Sequence, residues 1–202
     1  MNVQIDKTYP MPCSAEVAWD FLQNLEAVAG CMPGAKITER LDAGRYKGTV
    51  TVKVGPVTMS FRGEVEMKDV DPAARTLRLL GKGTDSTGSS AASMNLTARI
   101  EAAEGGLCTL AGASDVSMSG KAAAFGGRMM NTVADQILKQ FADNFATQVS
   151  ALQAQRAAAA GSGAPSAAAT IPPPAGAELN GFALVWTIFK EWLRGLFSRK
   201  PV

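Results

Sequence analysis

Few residues of this chain have the types and spacing that covalent or metal chemistry requires. The sequence contains no histidine, so it lacks the commonest general base, the commonest metal ligand and the usual partner of a serine or cysteine nucleophile. Cys13, Cys31 and Cys108 are odd in number and far apart, which predicts small, reduced core residues instead of a disulfide framework or a metal knuckle. Asp85 and Asp115 are too isolated to form a carboxylate pair. We therefore predict no catalytic residues, no metal site and a protein that is not an enzyme.

One glycine-rich stretch resembles a phosphate-binding loop. Residues 81–88 read GKGTDSTG, but they lack the full spacing of a Walker loop and lie between predicted strands instead of opening a helix. We interpret them as a hairpin. The net charge of +2 gives no reason to expect nucleic acid as a partner.

Residues 178–202 have the pattern of an amphipathic helix that lies in a membrane surface. Lys190, Glu191 and Arg194 near the centre would each cost roughly 2.5–3.5 kcal/mol at mid-bilayer, so we do not expect the helix to cross. Aromatic residues on one arc with basic residues beside it are typical of an in-plane anchor attracted to anionic lipid. The alternative is that this helix packs into a groove on its own domain or on a partner. The residues predicted to bind the membrane are Phe182, Val185, Trp186, Phe189, Trp192, Leu193, Leu196, Phe197, Lys190, Arg194, Arg199 and Lys200.

Composition divides the 202-residue chain into three parts. Residues 156–177 are rich in Ala, Pro and Gly and cannot build a core, so they are predicted to form a flexible linker. This leaves a globular domain at residues 1–155 and the anchor helix at residues 178–202. Asp6 and Lys7 interrupt the segment after Met1, so we expect no signal peptide and a peripheral protein on the cytoplasmic face of the cell membrane.

The pattern within the globular domain predicts an α+β fold. Residues 3–9 alternate as a first strand that Pro10 ends, and Ser14 can cap a helix over residues 15–25. From Ile37 onward, regular turn signals separate runs with period-two alternation, which indicates about six further antiparallel strands. An apolar stripe over residues 122–152 then predicts one long helix that covers the apolar face of a curved sheet.

The side chains of the predicted inner surface are suited to an apolar guest. They include many methionines, which are rotatable and frequent at adaptable binding surfaces, together with many Ala and Gly residues. Methionine as simple core filler is an equally good interpretation at this point. The candidate cavity residues are Met59, Phe61, Met67, Met94, Leu96, Met118, Met129, Met130, Val133, Ile137 and Phe141.

Four segments carry a family resemblance. They are GCMPGA at residues 30–35, YKGTVTVKVGPVTMSFRGEV at 46–65, GKGTDSTGSSAASM at 81–94 and SGKAAAFGGRMM at 119–130. The first 150 residues or so resemble the G-subunit family of carbon monoxide dehydrogenase, within the lipid-transfer and polyketide-cyclase-like superfamily. The resemblance implies a helix-grip fold, in which about seven strands wrap around a long C-terminal helix. It also implies an accessory protein that helps recruit carbon monoxide dehydrogenase, a molybdenum hydroxylase, to the membrane.

The apolar lining and the resemblance together suggest a quinone. Electrons from carbon monoxide must reach a respiratory quinone, menaquinone or ubiquinone, whose tail rests in the bilayer. A quinone needs an apolar sleeve with one or two hydrogen-bond donors, for which Tyr9, Asn95 and Ser114 are candidates, and no covalent cofactor is expected. The alternative function is a membrane-recruitment adaptor that carries no ligand.

Overall fold

An antiparallel sheet of seven strands is the framework of the computed structural model, which describes residues 1–161. The strand order is β1-β7-β6-β5-β4-β3-β2, which makes β1 and β2 the sheet edges and confirms the prediction of a first strand and six further ones. Because β1 is an edge strand, it tolerates Pro10 and continues to Met11, past the predicted end. The strands are β1 (Asn2–Met11), β2 (Ala35–Asp42), β3 (Arg45–Val54), β4 (Val57–Asp71), β5 (Thr76–Asp85), β6 (Ser90–Ala102) and β7 (Cys108–Gly120).

The two faces of the sheet follow the predicted alternation. On β3, Val52 and Val54 point to the apolar side that we call the inner face, whereas Thr51 and Lys53 point to the wet outer face. Val54 is fully buried, but Val50, also on the inner face, remains 39% exposed. The inner face of β3 is therefore apolar without being uniformly covered.

A row of glycines lets the sheet curve. Gly48, Gly63 and Gly83 are register partners on β3, β4 and β5. A Cβ atom at Gly63 would overlap the carbonyl oxygen of Lys82, and one at Gly83 would lie 2.9 Å from the carbonyl oxygen of Arg62. Glycine permits this close approach of neighbouring backbones, so the sheet bends along this row.

Two short helices replace the single predicted helix at residues 15–25. They are α1 (Ala15–Leu22) and α2 (Leu25–Cys31). The prediction was wrong at Asn24, whose side chain accepts a hydrogen bond from the amide of Ala27 at 3.1 Å and so starts a second helix.

A long helix, α3 (Gly127–Gly161), follows the last strand. The predicted start at residue 122 was wrong, because residues 121–125 form a 3₁₀ turn and Gly126, with a φ of 77°, interrupts the helical path. At the other end the helix includes the first residues of the predicted linker. Their alanines are strong helix formers, and Arg156 makes an ion pair with Asp20 of α1 at 2.9 Å.

The main core lies between the C-terminal half of α3, the two short helices and the neighbouring end of the sheet. Phe145 is fully buried, and its ring packs edge-on against Phe21 with centroids 5.0 Å apart. Polar contacts reinforce this packing: Asn144 donates to the carbonyl of Cys31 at 2.9 Å, and the amide of Ser14 donates to Gln153 at 2.7 Å. This end of the domain is closed.

Candidate functional site

The other half of the inner face lies beneath the first turns of α3, and we call this half-buried apolar part of the sheet the groove. Its apolar side chains are half-buried although they face the covering helix, whereas the polar side chains on the opposite side of α3 are exposed. The backbone of the helix approaches β1 and β3 more closely than it approaches the central strands. The groove residues are Ile5, Val50, Val52, Phe61, Val116, Met118, Met130, Val133 and Ile137.

Two contacts hold α3 over this groove. Lys7, on the inner face of β1, makes an ion pair with Asp135 at 2.9 Å, and this hydrogen bond raises the pKa of the Lys7 ammonium. Met129 reaches the β3–β4 turn, where its methyl group lies 3.4 Å from the position that a Cβ of Gly55 would take. The helix is thus attached on both sides of the groove.

The predicted cavity residues lie at several depths. Met67, Met94, Leu96 and Phe141 pack against the main core. Phe61, Met118, Met130, Val133 and Ile137 line the groove, while Met59 is buried and Met129 is 40% exposed. The structure therefore places five of the eleven candidates on the half-buried part of the inner face and its covering helix, and four in contact with the main core.

The three candidate hydrogen-bond donors have different surroundings. Asn95 lies on the outer face, where its side-chain oxygen accepts from Arg78 Nε at 2.7 Å, so it does not face the groove. Tyr9 packs against the main core. Ser114 lies on the inner face of β7, between Ile5 and Leu96 in the strand register.

Ser114 stands out chemically. Its Oγ is the one buried side-chain nitrogen or oxygen within residues 1–161 that has no hydrogen-bond partner. An unpaired buried hydroxyl typically costs about 1–3 kcal/mol, so such groups call for an explanation. The Ser114 hydroxyl can donate to an oxygen of a molecule placed against the inner face.

Two depressions lie on the outer face. One of about 470 Å³ is lined by polar groups that include Gln4, Asp6, Arg78 and Asp115. The second, of about 240 Å³, lies between charged residues of β3, β4 and β5. The first is open and polar, whereas the second also contains apolar surface from Val65 and Leu80 between its charged residues.

The family-type segments pack against each other in pairs. Gly34 of GCMPGA approaches Thr51 so closely that a Cβ would overlap the Thr51 carbonyl oxygen, and the Thr51 amide donates to Gly34 at 2.9 Å. At the open end, Ser90 Oγ accepts from the Ala122 amide at 3.0 Å, and Gly120 lies equally close to the backbone of Ser89. These segments therefore determine how the covering elements attach to the sheet, which sequence reasoning did not reveal.

The cysteines are buried, as predicted. Cys13 and Cys108 Sγ atoms lie 3.8 Å apart, and burial raises the pKa of Cys108 to about 12. Burial also raises the pKa of Cys31. All three thiols are therefore protonated at neutral pH, which disfavours nucleophilic chemistry. Within the described residues no three Asp, Glu or Cys side chains form a group that could hold a metal ion.

Solved structures show which fold class this is. A conserved protein from Geobacillus kaustophilus matches with a TM-score of 0.66 at 19% identity, over 74% of this chain and 95% of that one. The Zhui aromatase/cyclase from a Streptomyces species matches at 0.55 and 16% identity, over 80% and 99% of the two chains. A START superfamily protein from Mycobacterium smegmatis matches at 0.51 and 18% identity, over 74% and 98%. The domain has the helix-grip fold, as predicted.

The family follows from the sequence match. The model of the family described as the G subunit of carbon monoxide dehydrogenase (CoxG) matches residues 11–150, so the chain belongs to this family. Membership of this family indicates an accessory protein associated with carbon monoxide dehydrogenase. No curated protein matches the sequence.

The predicted membrane anchor at residues 178–202 and most of the linker at residues 156–177 lie outside the described residues. Among the helices of residues 1–161, none has the length and apolarity needed to cross a membrane.

Proposed function

We propose that this protein carries a respiratory quinone, menaquinone or ubiquinone, in the groove and so couples carbon monoxide dehydrogenase to the membrane electron-transport chain. The observation that carries the proposal is an apolar part of the inner face that is only half-buried, with the buried and unpaired hydroxyl of Ser114 beside it. An apolar ligand that covers the groove gains roughly 2.5 kcal/mol for each 100 Å² of apolar surface removed from water. The Ser114 hydroxyl supplies the donor that a quinone carbonyl oxygen accepts.

The sequence of residues 178–202 supplies the membrane contact in this proposal. A quinone tail resides in the bilayer, so a carrier works best when it stays at the membrane surface. An aromatic amphipathic anchor on a flexible linker provides this without a membrane-spanning helix, since tethering raises the effective concentration of the domain at the lipid. Deleting residues 178–202 should greatly reduce the fraction of protein that sediments with anionic vesicles and leave the circular dichroism of the domain intact.

Two neighbouring residues on opposite faces of β3 allow a direct test of ligand binding. Val50→Glu places a charge in the groove at a position that is already 39% exposed, so the fold should tolerate it. Thr51→Glu places the same charge on the outer face as a matched control. With menaquinone presented in detergent micelles, we expect Val50→Glu to lose binding and Thr51→Glu to keep it.

The ligand-binding test also distinguishes a quinone carrier from a membrane-recruitment adaptor that carries no ligand. Two results together would contradict the carrier function. Neither menaquinone nor ubiquinone would bind the unmodified protein, and native mass spectrometry would find no apolar molecule on protein purified from its own host. A protein that nevertheless binds anionic vesicles and the dehydrogenase would then be an adaptor.

A further inference from the structure

Exposed apolar side chains cluster at the end of the domain where the groove opens. Val57 is 43% exposed at the start of β4, and Met129 is 40% exposed at the start of α3. The contact of Met129 with the β3–β4 turn brings these two segments together, and half-buried Phe125 precedes Met129 by one turn. We call this region the end surface and define it by Lys53, Val57, Lys121, Phe125, Arg128 and Met129.

The charges around these apolar residues have one sign. Lys53, Lys121 and Arg128 are exposed, and none of them has a carboxylate partner within residues 1–161. Elsewhere most cations are paired, as Lys47 is with Glu39 at 2.9 Å and Lys139 with Asp143 at 2.8 Å. The unpaired cations at the end surface are therefore available to an external anion.

Asp85, at the end of β5, is a carboxylate at the same end of the sheet as the end surface, and it is already used within its own turn. It accepts from the Ser90 amide at 2.7 Å and from the hydroxyls of Thr87 and Ser89, and these bonds lower its pKa. The turns at the far end carry Asp42, Asp69, Asp71, Glu101 and Glu104. Because Asp42, Asp69 and Glu101 pair with arginines, it is unpaired positive charge that distinguishes the end surface from the far end.

We infer that the end surface docks directly on an anionic lipid bilayer, as a second membrane contact separate from residues 178–202. Apolar side chains ringed by Lys and Arg suit the interface of such a bilayer, because the apolar groups enter the headgroup region while each cation gains attraction from anionic lipid. This orientation points the open end of the groove at the membrane. Its purpose rests on the proposed function, but its test requires no ligand.

The experiment uses the full-length chain with a fluorescent reporter at one of two matched positions. Val57→Cys and Val70→Cys replace residues of almost equal exposure, 43% and 42%, at opposite ends of β4. The native cysteines are at most 2% exposed and react slowly, so an environment-sensitive dye labels the new position. Vesicles are made of phosphatidylcholine, with or without phosphatidylglycerol.

We expect anionic vesicles to shift the emission of the dye at position 57 to the blue and to raise its intensity, with no change at position 70. Phosphatidylcholine alone should have little effect. Adding Lys121→Gln to Val57→Cys should weaken insertion of the dye about fivefold, the loss expected for one cation near an anionic surface. Lys36→Gln, an exposed cation on the outer face, should leave it unchanged.

The inference is overturned if the dye at position 57 stays in water while flotation shows that the chain is bound to the vesicles. It is also overturned if both positions respond alike, or if position 57 is protected only by carbon monoxide dehydrogenase, which would make the end surface a protein-docking site. Quinone binding in detergent is measured on the same variants. Loss of that binding with insertion intact would contradict the proposed function and leave this inference standing.

Discussion

Replacing Ser114 with alanine should change stability and ligand affinity in opposite directions. In the ligand-free protein the Ser114 hydroxyl is buried between Ile5 and Leu96 and has no partner. Removing it relieves part of a desolvation cost of about 1–3 kcal/mol, reduced by the small void that remains. We therefore expect Ser114→Ala to stabilise the ligand-free protein by about 1 kcal/mol, which corresponds to a rise in melting temperature of roughly 2–4 °C for a domain of this size.

The same change should weaken quinone binding. If the hydroxyl donates to a quinone carbonyl oxygen, its loss removes a neutral hydrogen bond worth about 0.5–1.5 kcal/mol net. This predicts a dissociation constant about two- to twelvefold higher. Binding is measured with menaquinone in detergent micelles, and stability by thermal and urea unfolding followed by circular dichroism.

Ser90→Ala is the matched control. Ser90 is also buried, but its Oγ accepts a hydrogen bond from the Ala122 amide at 3.0 Å. Its replacement should therefore destabilise the protein by about 1–3 kcal/mol, because it leaves the Ala122 amide without that partner. The reasoning is refuted if Ser114→Ala destabilises the protein as Ser90→Ala does, or if it raises stability and leaves menaquinone affinity unchanged.

Three further predictions follow from the packing. Gly63→Ala should destabilise the domain by more than about 2 kcal/mol, because its Cβ would overlap the backbone of Lys82, whereas Gly127→Ala, with open space around its Cβ, should change stability by less than about 1 kcal/mol in urea unfolding. Phe145→Ala should cost about 3–5 kcal/mol, since it removes a fully buried ring packed on Phe21, and a loss below about 1 kcal/mol would show that the closed end is not tightly packed. Iodoacetamide at pH 8 should leave Cys13, Cys31 and Cys108 unmodified in the native protein and alkylate all three in urea, as read by intact mass, because burial keeps the thiols protonated and inaccessible.

The arrangement of the end surface has a consequence for how the two membrane contacts would work together. If residues 178–202 are an anchor on a flexible linker, as the sequence predicts, they would keep the domain near the bilayer and leave its orientation free. The cations and apolar residues of the end surface would then favour one orientation of the domain on the bilayer. Loss of the anchor should therefore lower the fraction of protein bound to vesicles. Loss of the Lys121 charge should instead weaken the insertion of the dye at position 57.

Much of the fold was determined locally and could be predicted from the sequence. Alternation such as Val50-Thr51-Val52-Lys53 places side chains on known faces, and turn residues such as Asp71-Pro72 separate the strands. The four family-type segments identified the family in the same way, since a match of motifs needs no knowledge of contacts. Composition alone also showed which chemistry is disfavoured, because a chain without histidine lacks the commonest general base and the commonest metal ligand.

Helix boundaries were harder to predict from the sequence, because a single residue can decide where a helix begins or ends. Asn24 can sit in a helix or cap the next one, and Gly126 can continue a helix or adopt the left-handed conformation. Contacts with other elements determine which conformation such a residue adopts, and the sequence of one segment does not reveal those contacts.

The site itself depended on tertiary structure. Methionine spacing could not separate Met94, which packs against the core, from Met130, which lines the groove, because both satisfy the same local pattern. Asn95 and Ser114 were equal candidates in the sequence, yet strand register places one on the outer face beside Arg78 and the other unpaired on the inner face. The sequence by itself determined which residues are apolar, which strands they belong to and which face they take. Only the packing of α3 across the sheet decided where that apolar face is sealed and where it stays open, because those contacts join residues more than a hundred positions apart.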